Sequence, residues 1–427
     1  MLACGIEKTG IHKRVALGTL KLLGSSTRLL MLGAMLVTWG LSMWITNTAA
    51  TALMLPIIEQ ILEVFQTQNP GEVLPVGMTK GLSICTAYGA NIGGLTTLAG
   101  TASNLVLANL MQEAYPCYEP KLNFTNWILY GLPISITIFV LAYLYLSTYW
   151  LGLPFFQKDN YSKLENDSIK KVIDSEFASL PPFHPSEKCV IFVFTSVIVL
   201  WFFSDPGFIP GWTALWTTDA KPSDSTVVLG MSAFMFFIPK NCEIKNFWNW
   251  DWSRPIITWH EFEKYAPWGT VIMVGSGLAL SKASEWSGFS DYIADLLSSL
   301  ETLPDELILF IIIVSVGMLT EITSNTATTN LIVPIILKLS EKINLNPIYL
   351  SLSATLACSM AFMLPVATPP NALTFGYGRV TVMDMVKCGA VMNLIGFASI
   401  GFFTIYYSPI IYNTDDTHPS WLNQTVC

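Results

Sequence analysis

Residues 46–58 read TNTAATALMLPII, and residues 324–336 read SNTATTNLIVPII. Set one under the other without a gap, Asn47/Asn325, Thr48/Thr326, Ala49/Ala327, Thr51/Thr329, Leu53/Leu331, Pro56/Pro334, Ile57/Ile335 and Ile58/Ile336 are identical. Each Asn-Thr step lies in strongly apolar surroundings, where an unpartnered polar group is costly. A chain that keeps such a feature twice is expected to build one site from two related halves.

The surroundings are those of a membrane protein. Of 427 residues, 52% are hydrophobic and 12% charged, and the mean hydropathy is +0.50. Soluble domains carry about 25% charge. One polytopic membrane domain is therefore expected rather than two or three soluble ones. The net charge of −8 gives no support to nucleic-acid binding. The eight cysteines lie far apart with no CxxC pair, so neither a zinc site nor a disulfide framework is expected. Cys117 is left able to pair with another cysteine on the outer face. The start, Met1-Leu-Ala-Cys-Gly-Ile-Glu7, lacks the charged region and cleavage site of a secretory signal.

A transmembrane helix needs about 20 mostly apolar residues. Candidates are Leu29–Ile45, Trp127–Leu151, Cys189–Ser204, Val227–Pro239, Pro267–Leu280, Glu306–Leu319 and Val386–Ser408. Apolar arms flank each tip, Leu29–Ile45 with Ala52–Phe65 and Glu306–Leu319 with Leu331–Leu339. The arms after the tips are too short to span comfortably, which predicts two re-entrant helical hairpins. Lipid cannot satisfy an open backbone turn, so each tip must be buried in protein or line a wet cavity.

Two further apolar stretches, Gly81–Met111 and Tyr349–Tyr377, are interrupted by Gly, Pro and Asn. They share a Thr-x-x-Asn step, Thr101/Asn104 and Thr368/Asn371, the second reached through Pro370. Each reads as a helix broken near mid-membrane. The fold class is thus an all-α polytopic membrane protein with an inverted repeat, two re-entrant hairpins and two broken transmembrane helices. Inverted repeats with discontinuous helices are common in secondary transporters.

Charge orients the chain. Lysines and arginines concentrate in the N-terminal segment, in 155–188 and in 240–265, which the positive-inside rule places in the cytoplasm. Asn123-Phe-Thr125 and Asn423-Gln-Thr425 are glycosylation patterns that suit the outer face. One threading satisfies both, with the first hairpin entering from inside, the second from outside, and the C-terminus outside. Trp248, Trp250, Trp252 and Trp259 suit an interfacial stretch, and 283–300 an amphipathic surface run.

A helix break exposes backbone N–H groups at one helix start and carbonyls at another helix end. The first favour anions. The carbonyls, with Thr and Asn oxygens, suit a hard cation such as sodium. No Arg or Lys occurs in either tip or break, so an anion would be held by neutral donors, helix dipoles and bound cations. A lone Asn-Thr pair is more often a cap or interhelical glue, and the matched repetition favours a site. Gly89-Ala-Asn-Ile-Gly-Gly94 lacks the P-loop lysine and is expected to permit close helix approach. Glu321 is as fit to support a hairpin as to bind a ligand. The histidines are scattered and no catalytic constellation is present, so an enzyme is not expected.

These residues resemble the divalent-anion/sodium symporter family, the animal sodium-coupled dicarboxylate, citrate and sulfate transporters. The likeness runs along the whole chain. It includes His12-Lys-Arg14, Leu41-Ser-Met-Trp-Ile-Thr-Asn-Thr48, Asp205-Pro-Gly-Phe-Ile-Pro-Gly-Trp212, Thr323-Ser-Asn-Thr326 and Ala361-Phe-Met-Leu-Pro-Val-Ala-Thr-Pro-Pro-Asn371. The resemblance implies a homodimer, where the scaffold helices are present, whose transport domain moves past a scaffold by an elevator motion. It implies a first sodium site at Thr46, Asn47, Thr48 and Gly100. It implies a second at Ser324, Asn325, Thr326, Ala367 and Thr368. Asn47, Thr48, Asn325 and Thr326 would also touch the substrate, with Thr101, Asn104, Pro370 and Asn371 in support. Thr46 departs from the family's Ser. Against the family pattern the chain also begins late, so the N-terminal scaffold helices are expected to be missing.

The expected organisation is a truncated N-terminal segment (1–28), a first repeat (29–151), a cytoplasmic loop (152–188), a second repeat (189–408) and an extracellular tail (409–427). The expected function is sodium-coupled symport of di- or tricarboxylates, or of sulfate, across the plasma membrane. Alternatives are a sodium-independent anion exchanger, or a non-transporting form that associates with full-length subunits.

Overall fold

The structure is a computed structural model that describes residues 1–23, 26–68, 75–152, 163–204, 210–215, 222–240, 254–266, 268–297, 302–417, 419 and 421–422. Trp248, Trp250, Trp252, Asn423 and the first part of the Asp205–Trp212 stretch lie outside the described residues.

The chain opens with two short helices, α1 (Leu2–Thr9) and α2 (Ile11–Leu23), turned at Gly10, whose φ of 75° suits glycine. The first repeat follows as α3 (Thr27–Ser42), α4 (Asn47–Gln68), α5 (Val76–Gly94), α6 (Ala102–Ala114) and α7 (Phe124–Leu151). Then come α8 (Lys163–Ala178), α9 (Pro185–Phe202), α10 (Asp224–Ala233), α11 (Trp259–Tyr265), α12 (Trp268–Trp286) and α13 (Phe289–Leu297). The second repeat is α14 (Asp305–Leu319), α15 (Asn325–Lys342), α16 (Pro347–Cys358), α17 (Pro369–Gly376) and α18 (Val382–Tyr406), with α19 (Ser408–Tyr412) after it. Among the described residues there is no strand, only one isolated bridge between Pro239 and Pro255.

Local signals explain the boundaries. Ser26, Asn123, Thr258, Thr368 and Thr381 each accept a hydrogen bond from a backbone N–H of the helix they precede. His184 and Glu187 form a reciprocal cap at the start of α9. At about 1.5 Å per residue, α14 is roughly 22 Å long, short of a hydrocarbon core of about 30 Å. A helix of that length fits a re-entrant arm. Among the described residues, three helices, Phe124–Leu151, Pro185–Phe202 and Val382–Tyr406, are long and apolar enough to cross a membrane.

Two expectations change. The arms after the tips are not short: α4 has 22 residues and α15 has 18. The Asn-Thr step is not a loop but the first turn of the returning helix, and Pro56 and Pro334 sit inside these helices without ending them. The apolar count misses those first turns because they are polar. The segment 152–188, expected to be a cytoplasmic loop, contains a helix, α8, which packs on α2 and α4. There Glu176 accepts from Gln60 and Lys13, and these bonds hold its carboxyl below the usual range.

The core is an interlock of the two repeats. In the first, α3 packs on α5 and α7, and α5 on α7; in the second, α14 packs on α16 and α18, and α16 on α18. The returning arms then cross over. The arm α4 lies on α5 of its own repeat and α17 of the other, whereas α15 lies on α16 and on α6. The Gly89–Gly94 run lets α5 close on α3 as expected, since a Cβ on Gly93 would meet the Trp39 carbonyl. Arg379, after α17, donates to Glu59 of α4 at 3.0 and 3.1 Å, and Lys80 of α5 pairs with Asp384 of α18 at 2.7 Å. Cys117 is disulfide-bonded.

Candidate substrate and cation site

Each tip is fastened by the same device. Ser42 Oγ donates to Asn47 Oδ1 at 2.5 Å, across five residues. Thr320 Oγ1 lies 2.8 Å from Asn325 Oδ1, again across five residues, and 2.8 Å from the Cys358 carbonyl. Its single proton serves one of these acceptors at a time. The hydroxyl five residues before the Asn fixes the amide through its oxygen. Among the described residues neither Asn47 Nδ2 nor Asn325 Nδ2 finds a protein partner, and both residues are partly exposed. The hydroxyls of Thr48 and Thr326, also partly exposed, make no hydrogen bond there either. All four residues expected to touch substrate therefore keep an uncommitted donor.

The first tip residue is used locally. Thr46 Oγ1 accepts from Ala49 N at 3.2 Å and its carbonyl from Ala50 N at 3.1 Å, which caps α4. Ser324 caps α15 without its side chain, and its hydroxyl points to Met273 Sδ at 3.4 Å.

The breaks match as closely as the tips. Asn104 Nδ2 donates to the carbonyls of Gly94 and Thr97, ten and seven residues back, at 3.3 and 2.8 Å. Asn371 Nδ2 donates to Ala361 and Leu364, again ten and seven residues back, at 3.0 Å each. Gly100 N donates to Thr97 O, and Ala367 N to Leu364 O, both at 3.2 Å. The two supporting asparagines thus gather the carbonyls that each interrupted helix leaves free. Gly94 has no room for a side chain: a Cβ there would lie 2.5 Å from Asn47 Oδ1. The first tip accordingly rests directly on the end of α5.

Tip and break of opposite repeats meet in a cleft. Thr48, Pro369, Ala372, Leu373, Gly376 and Tyr377 line a volume of about 460 Å³ with no charged side chain. The first turn of α4 and the length of α17, from Pro369 to the capping Tyr377, line it. The donors differ, however. Pro369 and Pro370 have no N–H, and Asn371 N lies 3.5 Å from Thr368 Oγ1, so α17 offers its dipole but little hydrogen bonding. Donation falls to Asn47 and Thr48.

The structure sets Asn47 and Gly100 against Gly94, Thr48 beside Pro369, and Asn325 through Thr320 against the Cys358 carbonyl. It gives Glu321 a supporting role. Its carboxylate accepts from the backbone of Phe362, Met363 and Leu364 at 2.9–3.1 Å and from Asn393 Nδ2 at 2.7 Å. Asn123 spends its amide oxygen capping α7, and Thr125 Oγ1 donates to the Phe202 carbonyl, so this pattern is built into helix packing. Sequence reasoning missed Ser42, Thr320, Thr97 and Asn393. A hydroxyl five residues before each Asn was visible by extending the repeat alignment backwards. No group of His, Cys, Asp or Glu fit to hold a transition metal occurs among the described residues. The oxygen-only carbonyl, hydroxyl and amide set suits a hard cation.

Comparison with known proteins agrees with this architecture. Residues 1–412 match the family described as the sodium:sulfate symporter transmembrane region. The chain is 35% identical over 481 residues to the Na(+)/citrate cotransporter of Rattus norvegicus, covering 100% of this chain and 83% of that one. It is 34% identical to solute carrier family 13 member 1 of Homo sapiens (98% and 82% covered) and 36% identical to member 2 of Mus musculus (99% and 80%). Among solved structures, the YdaH transporter of Alcanivorax borkumensis superposes with a TM-score of 0.61 at 13% identity, covering 98% of this chain and 85% of that one. MtrF of Neisseria gonorrhoeae does so with 0.61 at 15%, covering 95% and 79%. The chain belongs to the sodium:sulfate symporter family, a family of multi-pass membrane transporters and not of enzymes.

Proposed function

We propose that this protein is a sodium-coupled symporter of a small di- or tricarboxylate, with sulfate the alternative anion. The observation that carries the reading is the set of uncommitted donors, Asn47 Nδ2, Thr48 Oγ1, Asn325 Nδ2 and Thr326 Oγ1, at two matched tips without a lysine or arginine. Neutral donors and helix dipoles bind a divalent anion weakly by themselves. Cations at Thr46–Thr48 with Gly100, and at Ser324–Thr326 with Ala367 and Thr368, supply the missing positive charge. Anion affinity then depends on sodium, which is what couples the two fluxes. The first hairpin opens to the cytoplasm and the second to the outside. The interlocked repeats move as one body past a scaffold, in a homodimer at the plasma membrane with the C-terminus outside. The crossed packing of α4 on α17 and α15 on α6 supports such a body.

Uptake of radiolabelled citrate, succinate and sulfate by cells expressing the chain, in sodium and in choline, tests this. Sodium-dependent uptake of one of them is expected. Sodium-independent uptake would point to an exchanger. No uptake with the protein at the surface would overturn the transporter reading for this form. Asn325→Ala is expected to abolish uptake with surface expression unchanged; full uptake would remove Asn325 from the site.

A further inference from the structure

Asn91 of α5 lies inside the Gly89–Gly94 run and is 1% exposed. Its glycine neighbours face α3, but its own side chain crosses to the other repeat. Asn91 Nδ2 lies 3.3 Å from Thr368 Oγ1, 3.5 Å from Asn371 Oδ1 and 3.5 Å from the Ala361 carbonyl. It thus touches the second break at three points while belonging to the first broken helix. Its Oδ1 is buried and has no hydrogen-bond partner. The repeat does not dictate this residue. Gly94 corresponds to Ala361 through the matched asparagine bonds, so the counterpart of Asn91 is Cys358.

We propose that Asn91 is a positioning residue that couples occupancy of the second cation site to the first repeat. The proposal rests on the assignment of Ala367 and Thr368 to that site. Thr368 Oγ1 already accepts from Asn91 Nδ2 and from Asn371 N. A cation drawing on the same oxygen competes with the Asn91 N–H, because both need its lone pairs. Binding therefore shifts the Asn91 amide toward Asn371 Oδ1 and the Ala361 carbonyl, and α5 carries the shift. At its far end α5 reaches Gly94, which supports Asn47 of the first tip. Loading of one cation site is felt at the other through a single buried amide. Coupling of this kind is reciprocal and amounts to about fivefold or more in affinity.

The test uses the purified full chain and sodium alone, read as protection against thermal unfolding over a sodium titration with choline as balance. Asn91→Cys installs the residue that the equivalent position of the other repeat already packs, and Asn91→Ser keeps a short donor. Wild type is expected to show a steep curve. Asn91→Cys removes the relay between the sites and should flatten the curve toward a Hill coefficient of about 1. Asn91→Ser should fall between the two. A curve for Asn91→Cys that overlays wild type, with Thr368→Val abolishing the response, overturns the coupling and leaves the cation site standing. A wild-type protein indifferent to sodium overturns both.

Discussion

The two repeats share a plan and differ in how the break is tied to the tip. In the first, Thr97 Oγ1 donates to the Met43 carbonyl at 2.6 Å, a single neutral bond. In the second, Glu321 occupies the place of Met43 in the repeat alignment, and its carboxylate gathers three backbone N–H groups and the Asn393 amide. The helices that resume after the breaks differ too. Ala102 and Ser103 keep their N–H groups at the start of α6, whereas Pro369 and Pro370 have none at the start of α17. The second break is thus clamped by a carboxylate and offers no N–H at the first two positions of its resuming helix, while its tip keeps the Asn325 and Thr326 donors. The first is clamped lightly and keeps its donors. The two halves thus present matched tips on breaks that are fastened differently.

Removing the charged clamp is the hardest test of this contrast. Glu321→Ala leaves three backbone donors and the Asn393 amide without their acceptor inside the protein. Each buried donor left unsatisfied costs about 1–3 kcal/mol. Loss of folded, surface-delivered protein is the expected outcome, read by thermal unfolding in detergent and by surface labelling. A mild loss below about 1 kcal/mol would make the two clamps equivalent after all. Next come the supporting asparagines. Asn104→Ala and Asn371→Ala each remove two bonds to break carbonyls, about 2 kcal/mol at about 1 kcal/mol per bond. Uptake is expected to fall about thirtyfold in each, since the bond sets match. A large difference between them would show that the breaks are not functional equals.

Much of this was legible in the chain because the repeat is written in residues that cannot hide in lipid. Asn47/Asn325 and Thr101–Asn104/Thr368–Asn371 are polar, spaced alike and surrounded by apolar runs, so both the hairpins and the breaks announced themselves. Helix extents were harder. The first turns of α4 and α15 are made of Asn, Thr and Ala, which an apolar count discards. The role of Glu321 was open because its partners are backbone N–H groups about forty residues later, and backbone donors leave no mark in a sequence. Asn91 was read only as part of a glycine run. Its neighbours define the close approach to α3, and nothing local shows that its side chain reaches the other repeat.

Two smaller changes probe the lightly clamped half. Thr97→Val keeps the shape and removes the bond to the Met43 carbonyl, a loss of about 1 kcal/mol. Thermal unfolding should register it as a clear but partial destabilisation, well below that of Glu321→Ala. Thr46→Ser is the gentlest. It gives the first tip the residue found at Ser324 in the second. The hydroxyl that accepts from Ala49 N is retained, and Ser and Thr differ as helix caps by only a few tenths of a kcal/mol. The protein should therefore fold and traffic normally. What changes is the methyl group beside the proposed first cation site. If Thr46 simply caps α4, the sodium titration of uptake will overlay that of wild type. If its methyl sets the fit of the first site, the sodium midpoint will move by up to about threefold, while Ser324→Thr moves it in the second half in the opposite sense. An identical response to the two swaps would dissolve the asymmetry between the tips and leave the difference between the repeats in the clamps and the proline-capped helix alone.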